Sequence, residues 1–182
     1  MSIFVEIDFL KLTLSTCDFF KKLFLINTSA ANFSNPWKRL SWTVFLSSLK
    51  QLFTAKTEQF ELNSLLVTTS LSQEKIVNEF RESYESVIQF SKKYPITKVN
   101  ILRQLVAASY YFFPRESIGE VVLIRGAKDQ FINSQCSVDL QKKWNCKILI
   151  HPTAGHDIAF EDANWLIEAL KANILLDLGD RV

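Results

Sequence analysis

Glycine is scarce in this chain: there are four, Gly119, Gly126, Gly155 and Gly179, and none precedes position 119. That scarcity excludes a G-x-S-x-G turn, which needs residues without side chains where a strand bends sharply into a helix. Ser2 and Ser15 have no such turn around them, and no glycine-rich loop is available to shape an oxyanion hole. The three cysteines, Cys17, Cys136 and Cys146, are an odd number at wide spacing. They fit neither a disulfide framework nor a C-x-x-C zinc site, which favours a reducing, cytoplasmic setting. No metal ion or cofactor is expected.

Charge of one sign is also lacking. Charged residues are 22% of the chain with a balance of +2, so no electrostatic footprint points to nucleic acid or an acidic membrane surface. Long apolar runs are missing: Glu6, Asp8, Lys11, Asp18, Lys21 and Lys22 interrupt the Phe- and Leu-rich start, which argues against a membrane span. The same segment has neither the basic start nor the small-residue cleavage site of a secretory signal. What is present is a 48% apolar, 182-residue chain with 15 Phe, enough for a single domain with a real core.

Residues 22–27 form a short apolar run that stops at Asn27-Thr28-Ser29 and reads as a buried parallel strand. Pro36 then suits the start of a helix with Leu40, Val44, Phe45, Leu49, Leu52 and Phe53 on its apolar positions. Ser72 is a plausible N-cap for a helix carrying Ile76, Val77, Phe80, Tyr84, Val87 and Ile88 as far as Tyr94-Pro95. Another is expected from about Thr97 to Phe113, closed by Pro114. After Gly119 the pattern becomes strand 121–125, helix from about Asn133 to Trp144, strand 147–151 and helix from Asp162 to about Leu176. Strands alternating with helices imply parallel pairing. The fold class is therefore α/β, with a short, mainly parallel sheet, flanking helices and a helical insertion over about residues 35–115.

Two side chains follow the ends of consecutive strands. Asp129 comes just after the strand at 121–125, and Gly126 allows a sharp exit there; taken alone, Asp129 reads first as a loop or surface residue capping the next helix, because Asp is common in such loops. His156 lies beyond the strand ending at His151, in a loop made slim by Ala154 and Gly155. A lone loop histidine is usually structural. As a pair on neighbouring strand ends they gain meaning, because catalytic groups gather at that edge of open α/β sheets. His151 reads as a half-buried strand histidine and Asp157 as a cap.

Residues 121–129, with Asn133, Cys136-Ser137 and Trp144, and then Ala154-Gly155-His156-Asp157 with Asp162 and Trp165, resemble the C-terminal third of an α/β-hydrolase. Residues 22–29 similarly resemble the strand after that family's nucleophile helix, and the helices between would be its cap. The resemblance implies that Asp129 is the acid and His156 the base of a Ser-Asp-His triad acting on carboxylic-ester or related acyl bonds, with a small apolar substrate. No nucleophile is identified. Cys17 sits too close to the first strand to hold both an elbow and its helix, and reads as an inert thiol.

The departure lies at the front, where residues 1–18 do not supply the strands, oxyanion loop and serine elbow of that family. They read as an altered or foreign start, as from a truncated, frameshifted or split coding sequence. Ile3, Val5, Ile7 and Phe9 alternate, which fits a replacement edge strand or a short surface helix equally well. A sheet edge left open at residues 22–27 is expected to promote self-association or capture of an upstream partner chain. The expectation is a hydrolase fragment inactive by itself. The alternative is a non-catalytic remnant that binds a ligand or protein through Trp37, Trp42, Phe45, Phe53 and Tyr110 to Phe113.

Overall fold

The structure is a computed structural model that describes residues 22–34, 39, 46, 57–117 and 119–179. Cys17, the alternating stretch at residues 3–9 and, apart from Arg39 and Leu46, the proposed helix after Pro36 lie outside the described residues. Three strands, β1 (Lys22–Ile26), β2 (Glu120–Gly126) and β3 (Lys147–His151), form a sheet of order β1-β2-β3. Both pairings are parallel, with Ile26 opposite Ile124 and Gly126 opposite His151. The strand ends that carry Asn27, Gly126 and His151 therefore lie side by side.

The apolar run of β2 follows from burial on both of its faces, as a central parallel strand requires. Val121 and Leu123 pack with Leu25, Ala30, Phe113, Leu140 and Trp144 on one face. Val122 and Ile124 pack with Ala154, Ile158 and Leu166 on the other. Leu123 is 1% exposed, so Leu123→Ala is expected to lower stability by about 2–5 kcal/mol, the usual result of emptying a leucine site in a core. Urea unfolding measures this, and a loss below about 1 kcal/mol would contradict the packing.

Helices α1 (Thr57–Thr68), α2 (Gln73–Asn78), α3 (Arg81–Lys93) and α4 (Lys98–Ser109) lie in the chain between β1 and β2. The sequence reading missed α1. It also joined α2 and α3 into one helix, whereas the chain breaks at Phe80, whose φ of −103° and ψ of 24° leave the helical region. The break turns the Phe80 ring onto Phe160, with centroids 5.6 Å apart. Ser72 does cap α2, accepting from the Lys75 N–H at 3.3 Å. Ile76, fully buried, packs with Leu62 and Leu65.

Helix α4 ends at Ser109 rather than running to Phe113, because tertiary bonds claim the next residues. The Asn32 amide donates to the Phe113 carbonyl at 2.7 Å and its oxygen accepts the Phe113 N–H at 3.1 Å. Phe113 then packs against Trp144, centroids 5.2 Å apart.

Helix α5 (Ser134–Trp144) covers one sheet face; α6 (Ile158–Glu161) and α7 (Ala163–Gly179) cover the other. The expected helix from Asp162 is thus a short turn and a long helix, with Asp162 capping the second by accepting the Trp165 N–H at 2.9 Å. Buried Asn173 clips α7 to the sheet, receiving Lys22 Nζ on its carbonyl and Lys147 Nζ on its side-chain oxygen, both at 2.6 Å.

Candidate active site

Gly126 ends β2, and its importance is room rather than backbone freedom. A Cβ built there would lie 2.0 Å from the Gly155 oxygen and 2.3 Å from that of Ala154. The loop after β3 therefore rests directly on the exit of β2. Two backbone bonds fasten the loops together: Ala127 N–H to the His151 carbonyl at 2.8 Å and Lys128 N–H to the Ala154 carbonyl at 3.0 Å.

This contact brings Asp129 and His156 together. Asp129 Oδ2 lies 2.9 Å from His156 Nδ1, and their side chains are 5% and 8% exposed. The other carboxylate oxygen accepts two backbone N–H groups, from Phe131 at 2.8 Å and Ile132 at 2.9 Å. Asp129 thus makes a local turn and the long-range contact at once, while Asn133 rather than Asp129 caps α5. An ionised carboxylate can only accept, so the shared hydrogen sits on Nδ1 and leaves the Nε2 lone pair free. Among the described residues Nε2 has no hydrogen-bond partner. The Phe131 ring packs against the imidazole, centroids 4.9 Å apart, and limits its rotation.

His151 is built the opposite way. It is buried rather than half-buried, and its Nδ1 accepts the Ala154 N–H at 2.9 Å. Its hydrogen must then be on Nε2, 3.3 Å from Asp162 Oδ2, while Trp165 presses on the ring in a T-shaped contact at 4.6 Å. With its lone pair used, His151 serves the loop structurally. The bonds from Trp165 N–H and then from His151 hold the Asp162 carboxyl below the usual carboxylate range. Asp157 caps α6, accepting the Phe160 N–H at 3.3 Å.

Glu161 and Ser70 escaped the sequence reading. Glu161 Oε1 accepts the N–H of Gly155 at 2.6 Å and of Ser70 at 2.9 Å, and its Oε2 meets Ser70 Oγ at 2.5 Å. Asp157 N–H also donates to the Thr68 carbonyl at 2.8 Å. One carboxylate thereby fastens the end of α1 to the loop bearing His156. No local pattern announces it, since Ser70 is 91 residues away. Glu161→Ala is expected to cost about 2–3 kcal/mol, because hydrogen bonds to a charged acceptor are lost together. Hydrogen exchange at the Gly155 and Ser70 amides should quicken. Unchanged exchange there would show that the carboxylate is not what fastens them.

Burial raises both described thiols, Cys136 and Cys146, above their ordinary range, which makes them poor nucleophiles. Among the described residues no group of three or more His, Cys, Asp or Glu could hold a metal ion, and no helix is long and apolar enough to cross a membrane.

No protein-family profile matches the sequence, nor does any curated protein. Solved structures do. The 2-hydroxy-6-oxo-6-phenylhexa-2,4-dienoate hydrolase from a Rhodococcus species has a TM-score of 0.64 at 14% identity, covering 91% of this chain and 59% of that one. A thermophilic esterase gives 0.60 at 18% identity, covering 91% and 60%. An α/β hydrolase from a deep-sea metagenome gives 0.63 at 15% identity, covering 87% and 56%. The chain therefore has a partial α/β-hydrolase fold and spans between 56% and 60% of the length of these structures.

Proposed function

We propose that this chain supplies the acid and base of a Ser-Asp-His hydrolase of carboxylic-ester or related acyl bonds, and that it holds no nucleophile of its own. The observation that carries the reading is the buried contact of Asp129 Oδ2 with His156 Nδ1, at 2.9 Å. Asp129 would fix the tautomer, and His156 Nε2 would take a serine proton and return it to the leaving group. The Nε2, without a hydrogen-bond partner among the described residues, supports this, as does a carboxylate whose other oxygen is already held by two amides.

The serine elbow and oxyanion donors would come from a separate segment or chain. Among the described residues β1 pairs only with β2, and a supplying segment would add its strand at the side of β1 away from β2. Helices α1 to α4 would act as the cap of a single domain, an assignment supported by the attachment of α1 to the His156 loop. A small apolar acyl or ester substrate fits this reading, in a reducing, cytoplasmic compartment where the free thiols persist.

A fluorophosphonate, which labels activated serines whatever the natural substrate, tests the proposal by intact mass. The chain alone is expected to give no adduct and no hydrolysis of nitrophenyl esters above buffer. Co-expression with a segment bearing a G-x-S-x-G elbow should give labelling of that segment that disappears in His156→Ala. An adduct on this chain alone would overturn the missing nucleophile, and labelling indifferent to His156 would overturn its role as base.

A further inference from the structure

We infer that Asn27 is a positioning residue for the Asp129–His156 pair, an inference that rests on the acid and base roles proposed above. Asn27 follows β1 with a φ of 49°, in the left-handed region where glycine is favoured. It is one of only two described residues other than glycine with a positive φ. Asparagine tolerates this conformation better than most, yet glycine would adopt it with less strain. The side chain explains the asparagine.

The left-handed turn folds the Asn27 amide from the end of β1 across the end of β2 to the loop that follows β3. Its backbone N–H donates to the Ile124 carbonyl at 2.8 Å. Its Oδ1 accepts the Gly126 N–H at 3.1 Å, where the Asp129 loop begins. Its Nδ2 donates to the His156 carbonyl. One buried amide, 8% exposed, therefore holds both the origin of the acid's loop and the backbone of the base. These are primary-amide contacts that need a donor and an acceptor at once, which neither aspartate nor glycine provides.

The action is indirect: Asn27 touches neither ring nor carboxylate. It sets how far the His156 backbone lies from the exit of β2. Without it, Gly126 N–H and the His156 carbonyl are left buried without partners, and the loop can relax away from Asp129.

The chain has two histidines, so its imidazole spectrum offers the test and its own control. In wild type, long-range proton–nitrogen correlation should place the His156 hydrogen on Nδ1 and the His151 hydrogen on Nε2. Asn27→Gly keeps the backbone conformation and removes both side-chain bonds. Asn27→Asp keeps the acceptor for Gly126 but turns a carboxylate toward the His156 carbonyl. In both variants exchange of the His156 Nδ1 hydrogen with water should accelerate about tenfold, the factor that corresponds to one buried hydrogen bond, while the His151 resonance stays unchanged.

Unchanged His156 exchange in both variants would overturn the role. So would equal disturbance of both histidines, which marks a general structural contribution. A wild-type spectrum without an Nδ1 hydrogen on His156 would instead overturn the acid and base assignment itself, and the positioning role with it.

Discussion

Gly126→Ala is expected to destabilise the protein by about 3 kcal/mol or more, and to separate His156 from Asp129 in the molecules that remain folded. The new methyl would lie 2.0 Å and 2.3 Å from two backbone oxygens, against ordinary contact beginning near 3.4 Å. Backbone oxygens cannot rotate aside as a flexible side chain can, so the loop must move by well over an ångström. That movement breaks the Lys128 bond to the Ala154 carbonyl and the Asn27 hold on His156. Because Gly126 is not among the residues with positive φ, the penalty is one of space and should grow from alanine to valine. Urea unfolding and the His156 Nδ1 resonance measure the two effects. An alanine variant within about 1 kcal/mol of wild type with the resonance intact would show that the loops are not packed this closely.

The second large effect is expected at Asp129, where two substitutions separate stability from chemistry. Asp129→Ala leaves the Phe131 and Ile132 amides and the His156 imidazole without their acceptor in a buried site. It should cost about 3–5 kcal/mol, as for a buried charged partner removed from one side. Asp129→Asn retains an oxygen for the two amides but presents an NH₂ to His156. Nδ1 must then accept, the hydrogen moves to Nε2, and His156 becomes a donor where a base is needed. Any His156-dependent hydrolysis restored by a nucleophile-bearing segment should fall by about ten-thousand-fold, with far less loss of stability. Proton–nitrogen correlation reads the tautomer without requiring activity. An asparagine variant that keeps the hydrogen on Nδ1 would show that the carboxylate does not set the tautomer.

The sheet was legible because β2 and β3 are short, locally decisive runs: Val121 to Ile124 is apolar at every position, as only a strand buried on both faces needs to be. The Asp129–His156 pairing could be anticipated from strand order, which brings consecutive parallel strand ends together. The helical insertion was less legible. Apolar spacing joined α2 to α3 because Ile76, Phe80 and Tyr84 keep helical steps. The Phe80 ring instead leaves the helix to meet Phe160, a partner distant in sequence. Likewise α4 stops at Ser109 because Asn32 captures the backbone of Phe113. Asn27 could be seen as a polar residue closing a strand, but its partners at Gly126 and His156 could not.

By itself, then, the sequence determined the strand and helix alternation after Gly119, the absence of a glycine elbow and the two side chains worth pairing. These are properties of residue type and spacing, which act within a few residues of each other. Tertiary structure alone decided which histidine keeps a free lone pair, since the tautomers of His151 and His156 are set by opposite neighbours. It also decided that Gly126 is needed for room, and that Glu161 and Asn27 hold the His156 loop from two sides. Those outcomes depend on groups that meet only after the strand ends are aligned, and a hydrogen bond between distant residues leaves no periodicity in the chain that forms it.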